Sequence, residues 1–228
     1  MDGSITVFGG TGFIGRHLVP MLLRSGATVR VAVRHPRRVQ TTTESAQAAE
    51  YIQADVLDNV AVGAAIAGTG AVVNLVGILS ETATQAYRAV HVEGARRVAL
   101  AAQRRGVIRP IHISALGASP TSPAVSDRTK AEGEQAVREV FPQATIVRPS
   151  LTFGEDHFFS RFAAMIRTSS VLPLIGGGTT RFQPVFVGNM TAGLLELLKR
   201  PIRLVRPTNL EDLKSTHSRR SWNSCSLL

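Results

Sequence analysis

The chain has 228 residues, a single cysteine and a formal net charge of +10. One cysteine, Cys225, excludes an intramolecular disulfide framework and a cysteine-rich metal site, and it fits a reducing compartment. The length suits one large domain, or one domain with a small appendage, and no run is apolar for long enough to span a bilayer.

The first predicted strand, 4–8, runs straight into Gly9-Gly10-Thr11-Gly12-Phe13-Ile14-Gly15 and then a helix over 13–25. Glycines 9, 12 and 15 give G-x-x-G-x-x-G, and 10, 12 and 15 satisfy G-x-G-x-x-G. Strand, glycine turn and amphipathic helix together predict a dinucleotide site. The glycines permit a tight turn, close approach of backbone to a pyrophosphate and close packing of helix on sheet. The helix N-terminus would meet the phosphates. Because the chain enters a strand at once, no signal or transit segment is expected, and cytoplasm is the default.

The second strand, 28–34, ends in Arg34, followed by His35-Pro36-Arg37-Arg38. Sites for NAD place an acid here to accept the ribose hydroxyls, and this chain has none. A planar guanidinium pairs well with a 2′-phosphate, so Arg34, then Arg38, predict NADP(H) as the preferred cofactor, with NAD(H) the other option. Further strands are expected at 50–54, 71–76, 109–114 and 144–148. Helices are expected at about 58–67, 84–106, 128–141, 157–168 and 188–199. Short continuous apolar runs such as Ala71-Val72-Val73 suit strands buried on both faces. The alternation predicts an α/β fold: a doubly wound parallel sheet, the Rossmann fold, with ligands at the carboxyl ends of its strands. We divide the chain into a dinucleotide-binding domain at 1–150, a partial substrate-side region with returning sheet elements at 151–201, and an irregular tail at 202–228. Gly176-Gly177-Gly178 marks a loop in the middle region.

Arginines cluster at Arg34, Arg37 and Arg38, at Arg96, Arg97, Arg104 and Arg105, and between Arg203 and Arg220. No nucleic-acid motif or aromatic interleaving accompanies them, so a solvated basic surface is the plainer reading. Such a face could also meet anionic lipid or an acidic partner subunit. His17, His91, His112 and His157 share no metal-ligand spacing and no metal is expected; His91 and His112 read as satisfied structural histidines.

Several phrases together resemble the extended or atypical short-chain dehydrogenase/reductase superfamily: G-G-T-G-F-I-G, A-D-V at 54–56, N-L-V-G at 74–77, H-V-E-G at 91–94, H-I-S-A at 112–115, T-K-A-E-G-E at 129–134 and V-R-P-S at 147–150. R-P-S-L-T-F-G-E-D-H-F-F-S-R-F at 148–162 is similar to the branch holding the dehydrogenase-like accessory subunit of respiratory complex I and its bacterial homologues. The resemblance implies adenine contacts from Asp55 and Val56. It implies ribose and diphosphate contacts from Leu75, Val76 and Gly77, and nicotinamide contacts from Pro149 and Ser150. Residue by residue, the alternative for Asp55 is a turn or cap, and for Pro149 a strand terminator.

Members of that superfamily use a Ser, a Tyr and a Lys, with Tyr and Lys spaced Y-x-x-x-K on one helical face. The lysine lowers the phenol's pKa so that it can pass a proton. Ser114 and Lys130 match; Ser126 stands where the tyrosine belongs. A serine hydroxyl is less acidic and too short, so ordinary carbonyl reduction lacks its proton donor, while Lys130 can still bond the nicotinamide ribose. The expected function is therefore an NADP(H)-binding, non-catalytic protein associated with respiratory complex I or its assembly. It would be peripheral on the inner face of the bacterial inner membrane, or on the matrix side in an organelle. The alternative is an active NADP-dependent oxidoreductase or epimerase on a nucleotide sugar, lipid or quinone-like substrate.

After Arg200-Pro201 the text changes character. Related proteins continue in a form resembling G-K-T-Y-E-L-G-G-x-E-V-Y-T-F-K. Codons for that text, read one base out of register, yield V-R-P-T-N-L-E-D and K-S-T-H-S-R, which stand at 205–212 and 214–219. The tail reads either as a frameshift product beginning near residue 202 or as a native, disordered basic segment. On both readings Trp222 and Cys225 carry no role.

Overall fold

The structure, a computed structural model, describes residues 4–38, 48–154, 183–199 and 208–209. The expected helix at 157–168 and the glycine loop at 176–178 lie outside the described residues, as does the tail apart from 208–209.

In chain order the elements are β1 (Ser4–Phe8), α1 (Phe13–Arg24), β2 (Thr28–Val33), β3 (Glu50–Gln53), α2 (Asn59–Ala65), β4 (Ala71–Asn74), a π-helical turn (Ala89–Gly94) running into α3 (Ala95–Arg104), β5 (Arg109–Ile113), α4 (Val125–Val140) and β6 (Thr145–Arg148). They end with β7 (Thr152–Phe153), β8 (Val185–Phe186), α5 (Val187–Lys199) and β9 (Thr208–Asn209). The main sheet has the order β3-β2-β1-β4-β5-β6-β9, parallel throughout. Strand order reverses between β1 and β4, which opens a crevice at their carboxyl ends. The expected doubly wound sheet is present.

Alternation along β1 feeds two cores. Ile5 and Val7 face Leu18, Leu22, Met190 and Leu194 of α1 and α5. Phe8 faces Val62, Val98 and Val137 of α2, α3 and α4. Thr6, fully buried in the same strand, is satisfied by donating to the Ala65 carbonyl (2.9 Å) and pairing with the Thr69 hydroxyl (2.9 Å).

Most boundaries fall within a residue or two of expectation; the differences below are larger or change the type of element. Strand four stops at Asn74, not 76, because the Asn74 side-chain oxygen captures the Val76 N–H (3.1 Å) and turns the chain out of the ladder. The helix expected over 84–106 starts at Tyr87, after a Thr82–Gln85 bridge, and passes through the π turn at Ala89–Gly94 within its first turns. In the tail, Thr208–Asn209 pairs parallel with β6, so the tail supplies a short edge strand where only irregular chain was expected.

A bidentate ion pair ties α4 to β6: the Arg148 guanidinium donates from Nε to Glu134 Oε1 (2.8 Å) and from Nη2 to Oε2 (2.6 Å). That carboxylate raises the Arg148 pKa through hydrogen bonding. Glu134 is 4% exposed. Arg148→Met strands this buried carboxylate, and about 3 kcal/mol of stability should be lost in urea unfolding; a loss below about 1 kcal/mol would refute a structural role for the pair.

Candidate dinucleotide site

The site is built from the segments at the carboxyl end of each strand. After β1, Gly9 adopts φ +75°, and Gly12 closes the turn by donating its N–H to the Gly9 carbonyl (3.0 Å). A Cβ on Gly9 would meet the Leu75 and Val76 backbone at 3.2 Å, so β1 and β4 approach closely at the crevice. A Cβ on Gly10 would lie 2.6 Å from Val31 Cγ1, and one on Gly15 would lie 2.4 Å from Gly10 backbone. Gly12 is the N-cap of α1. No side chain caps that end and no acidic residue stands in its first turn. Its positive dipole end therefore has no negative side chain of its own. Thr11 is exposed beside it, Phe13 and Ile14 are half-buried, and Gly15 is buried.

Arg34 is exposed just beyond β2 and has no carboxylate partner among the described residues. Arg38 ends a short 3-10 turn (Pro36–Arg38). Beyond β3, Asp55 makes a turn: its Oδ1 accepts the Leu57 N–H (2.9 Å) and its carbonyl the Asp58 N–H (3.0 Å). Val56 is buried, and Asp58 is the residue that caps α2.

After β4, Leu75 donates its N–H to the Phe8 carbonyl (3.0 Å); Leu75 and Val76 are half-buried and Gly77 is exposed. After β5, Ser114 is 3% exposed, and its Oγ is a buried hydroxyl with no hydrogen-bond partner among the described residues. On α4, Lys130 forms no hydrogen bond or ion pair among the described residues. Burial lowers its pKa, with Asp127 pulling the other way. Ser126 stands one turn earlier, and no tyrosine occupies that face. Beyond β6, Pro149 is buried, its carbonyl accepting the Leu116 N–H (2.8 Å), and the Ser150 hydroxyl donates to the Gln183 carbonyl.

A polar layer not anticipated from the sequence lies beneath. Asn74 Nδ2 contacts His112 Nδ1 at 3.3 Å. Because Asn74 Oδ1 already accepts from Val76, its amide donates to His112, which fixes the tautomer as Nε2–H. His91 joins the Ile78 backbone to Thr129. Burial first, then Lys130, hold both imidazoles at about 4. The expectation that these two histidines are structurally satisfied agrees with this network. A buried asparagine in the apolar run 71–76 was the available signal for it.

The donor set suits a dinucleotide: a glycine cradle that a Cβ would crowd, a helix end with no side-chain cap and, among the described residues, a guanidinium without a carboxylate, a buried hydroxyl without a partner and a lysine without an ion pair. Residues 9–157 match a family described as NAD(P)H-binding. The chain belongs to that family. It is 38% identical over 200 residues to the mitochondrial NADH dehydrogenase (ubiquinone) 1 alpha subcomplex subunit 9 of Arabidopsis thaliana, covering 85% of this chain and 50% of the plant protein. It is 31% identical over 213 residues to a ceramide reductase of Caulobacter vibrioides, covering 88% of this chain and 62% of that enzyme. This NAD(P)H-binding chain thus spans about half the length of the first of these relatives. Its fold is similar to that of the Bordetella bronchiseptica enzyme WbmG, solved in complex with NAD. That similarity has a TM-score of 0.71 at 16% identity and covers 92% of this chain and 72% of that one.

Proposed function

We propose that this NAD(P)H-binding chain holds NADP(H) without turning it over, as an accessory component of a respiratory NADH:ubiquinone oxidoreductase or of its assembly. The observation that carries the proposal is Ser126 in the tyrosine's place beside Lys130 and Ser114, both without a hydrogen-bond partner among the described residues. The chain keeps groups that can grip a nicotinamide ribose and lacks the phenol that would move a proton.

In this reading Gly9 to Gly15 would hold the diphosphate, with α1 supplying the dipole. Asp55 and Val56 would contact adenine, Leu75 to Gly77 the ribose and diphosphate, Lys130 the nicotinamide ribose, and Pro149 with Ser150 the nicotinamide. The bound group can exchange hydride; the chain's own part is to bind and orient it. Arg34, with Arg38, would take the 2′-phosphate. Calorimetry should find NADPH bound more tightly than NADH, and Arg34→Ala should reduce that preference about tenfold, or ~1.4 kcal/mol. Equal affinities in the wild-type chain would overturn the NADP assignment.

Docking would use the basic face. Between α2 and α3 an open groove of about 510 Å³ is lined by Arg96, Arg97, Arg104 and Arg105 against Glu93, with Gly63, Leu100 and Ala101 between them. Such a face suits an acidic subunit or an anionic membrane surface. No helix among the described residues is long and apolar enough to cross a membrane. The basic face would make the attachment a peripheral one. It would lie on the inner face of the membrane, or on the matrix side in an organelle. Co-purification with respiratory subunits tests the assignment.

The second reading is an active NADP-dependent reductase or epimerase. Retention of Ser114 and Lys130, and the 31% identity to a ceramide reductase, favour it. Steady oxidation of NADPH with a lipid, quinone or nucleotide-sugar panel would support it over the first.

A further inference from the structure

We infer that His91 is a positioning residue that locks the backbone after β4 to the helix carrying Lys130, and that the nicotinamide half of the dinucleotide depends on this lock while the adenosine half does not. The inference rests on the proposed placement of Leu75–Gly77 and Lys130 around the ligand.

The hydrogen-bond directions follow from elementary bookkeeping. Ile78 N–H can only donate, so His91 Nε2, 3.1 Å away, accepts and carries no proton. A neutral imidazole then bears its proton on Nδ1, 3.0 Å from Thr129 Oγ1. The Thr129 hydroxyl lies 3.0 Å from both the Val125 and Ser126 carbonyls, which only accept, so it donates to them and accepts from His91. One continuous chain of bonds therefore runs from Ile78, next to Gly77, to Thr129, next to Lys130. The ring is 4% exposed, with the Tyr87 ring centroid 5.3 Å away. Burial and the Lys130 charge keep the imidazole neutral, so it acts as a fixed acceptor and donor at neutral pH.

The backbone of the same residue is clamped as well. A Cβ placed on Gly133 would lie 2.1 Å from the His91 carbonyl oxygen, so α4 presses on the π turn at a separation only glycine allows. A π turn widens a helix locally and re-aims its side chains. Here it points His91 from the helix toward the β4 loop. The Gly9–Gly15 loop and Asp55 take no part in these bonds, so the lock acts on the β4 loop and, through Thr129, on the helix turn that carries Lys130, which the proposed placement sets on the nicotinamide side.

Isosteric chemistry supplies the test. His91→Phe keeps a ring and removes both bonds. His91→Gln restores one acceptor and one donor. Affinities of the full chain for NADPH and for 2′,5′-ADP, which lacks the nicotinamide half, would be measured by calorimetry. The fluorescence enhancement of bound NADPH would be followed in parallel. We expect His91→Phe to weaken NADPH about tenfold and to lose the enhancement, with 2′,5′-ADP unchanged within about twofold and His91→Gln close to wild type. Equal losses for both ligands, or unchanged NADPH binding, overturn the inference. If His91→Phe is not recovered folded, Thr129→Val keeps the Ile78 bond, removes the Thr129 bond together with the hydroxyl's bonds to its own helix turn, and should show the same ligand asymmetry; its absence there is equally decisive. A wild-type chain that binds neither ligand defeats the proposed site itself, an outcome distinct from failure of the lock.

Discussion

Replacing Gly15 by alanine should raise the dissociation constant for NADPH at least about 100-fold, or ~2.7 kcal/mol, and leave a folded chain. The added methyl would sit 2.4 Å from Cα, C and O of Gly10. These are backbone atoms, so no rotamer change relieves the contact. Gly10 cannot retreat, because it is seated against Val31 and Val19. Helix α1 cannot easily lift, because Leu18 and Leu22, both fully buried, hold it against the sheet. The Gly9–Gly12 turn is what remains to move, and it can move only into the crevice between β1 and β4, where the diphosphate would lie. Gly26→Ala is the control. Gly26 has φ +83° with nothing within 4 Å of a new Cβ, so alanine there costs about 1 kcal/mol of backbone strain without touching the site. Calorimetry beside thermal unfolding separates the two; wild-type NADPH affinity in Gly15→Ala would remove the loop from the binding site.

That loop was legible because its demands are local. A strand, a glycine spacing and a helix occupy adjacent residues, and each glycine answers a contact made within or just outside the segment. Parallel strands were legible for a similar reason: a short apolar run bounded by turns has few alternatives in a chain of this length. Features set by distant pairs were not. Asn74 ends its strand early because its amide is shared between Val76 and His112, 38 residues on. The π turn exists where Gly133 meets His91, and H-V-E-G at 91–94 gives no periodic sign of it. Helix α4 starts at Val125, ahead of the expected 128, with Arg128 donating back to the Ser122 and Pro123 carbonyls beneath its first turn. That Lys130 and Ser114 find no partner among the described residues was likewise beyond a sequence reading, since pairing is a property of neighbours and not of spacing.

Acid should destabilise this chain well before carboxylates are protonated. His91 and His112 have folded-state pKa values of about 4, against 6.5 for a free histidine. The unfolded chain therefore takes up protons between pH 6.5 and 4 that the folded chain refuses. With more protons bound in the unfolded state, stability rises with pH: the contribution is whole above pH 6.5 and is lost as pH falls toward 4. At pH 5 each histidine accounts for about 2 kcal/mol of that loss. Burial is the larger cause for both and cannot be removed without opening the core. The Lys130 charge is the common second cause and can be. Lys130→Met should therefore raise both folded-state values and flatten the acid limb in part. His112→Gln should remove one contribution outright, cutting the pH 5 loss by roughly half. Urea unfolding from pH 8 to pH 5 measures all three chains on one scale. A wild-type stability that is flat across this range would mean that the imidazoles titrate freely and that the polar layer beneath the crevice is open to water.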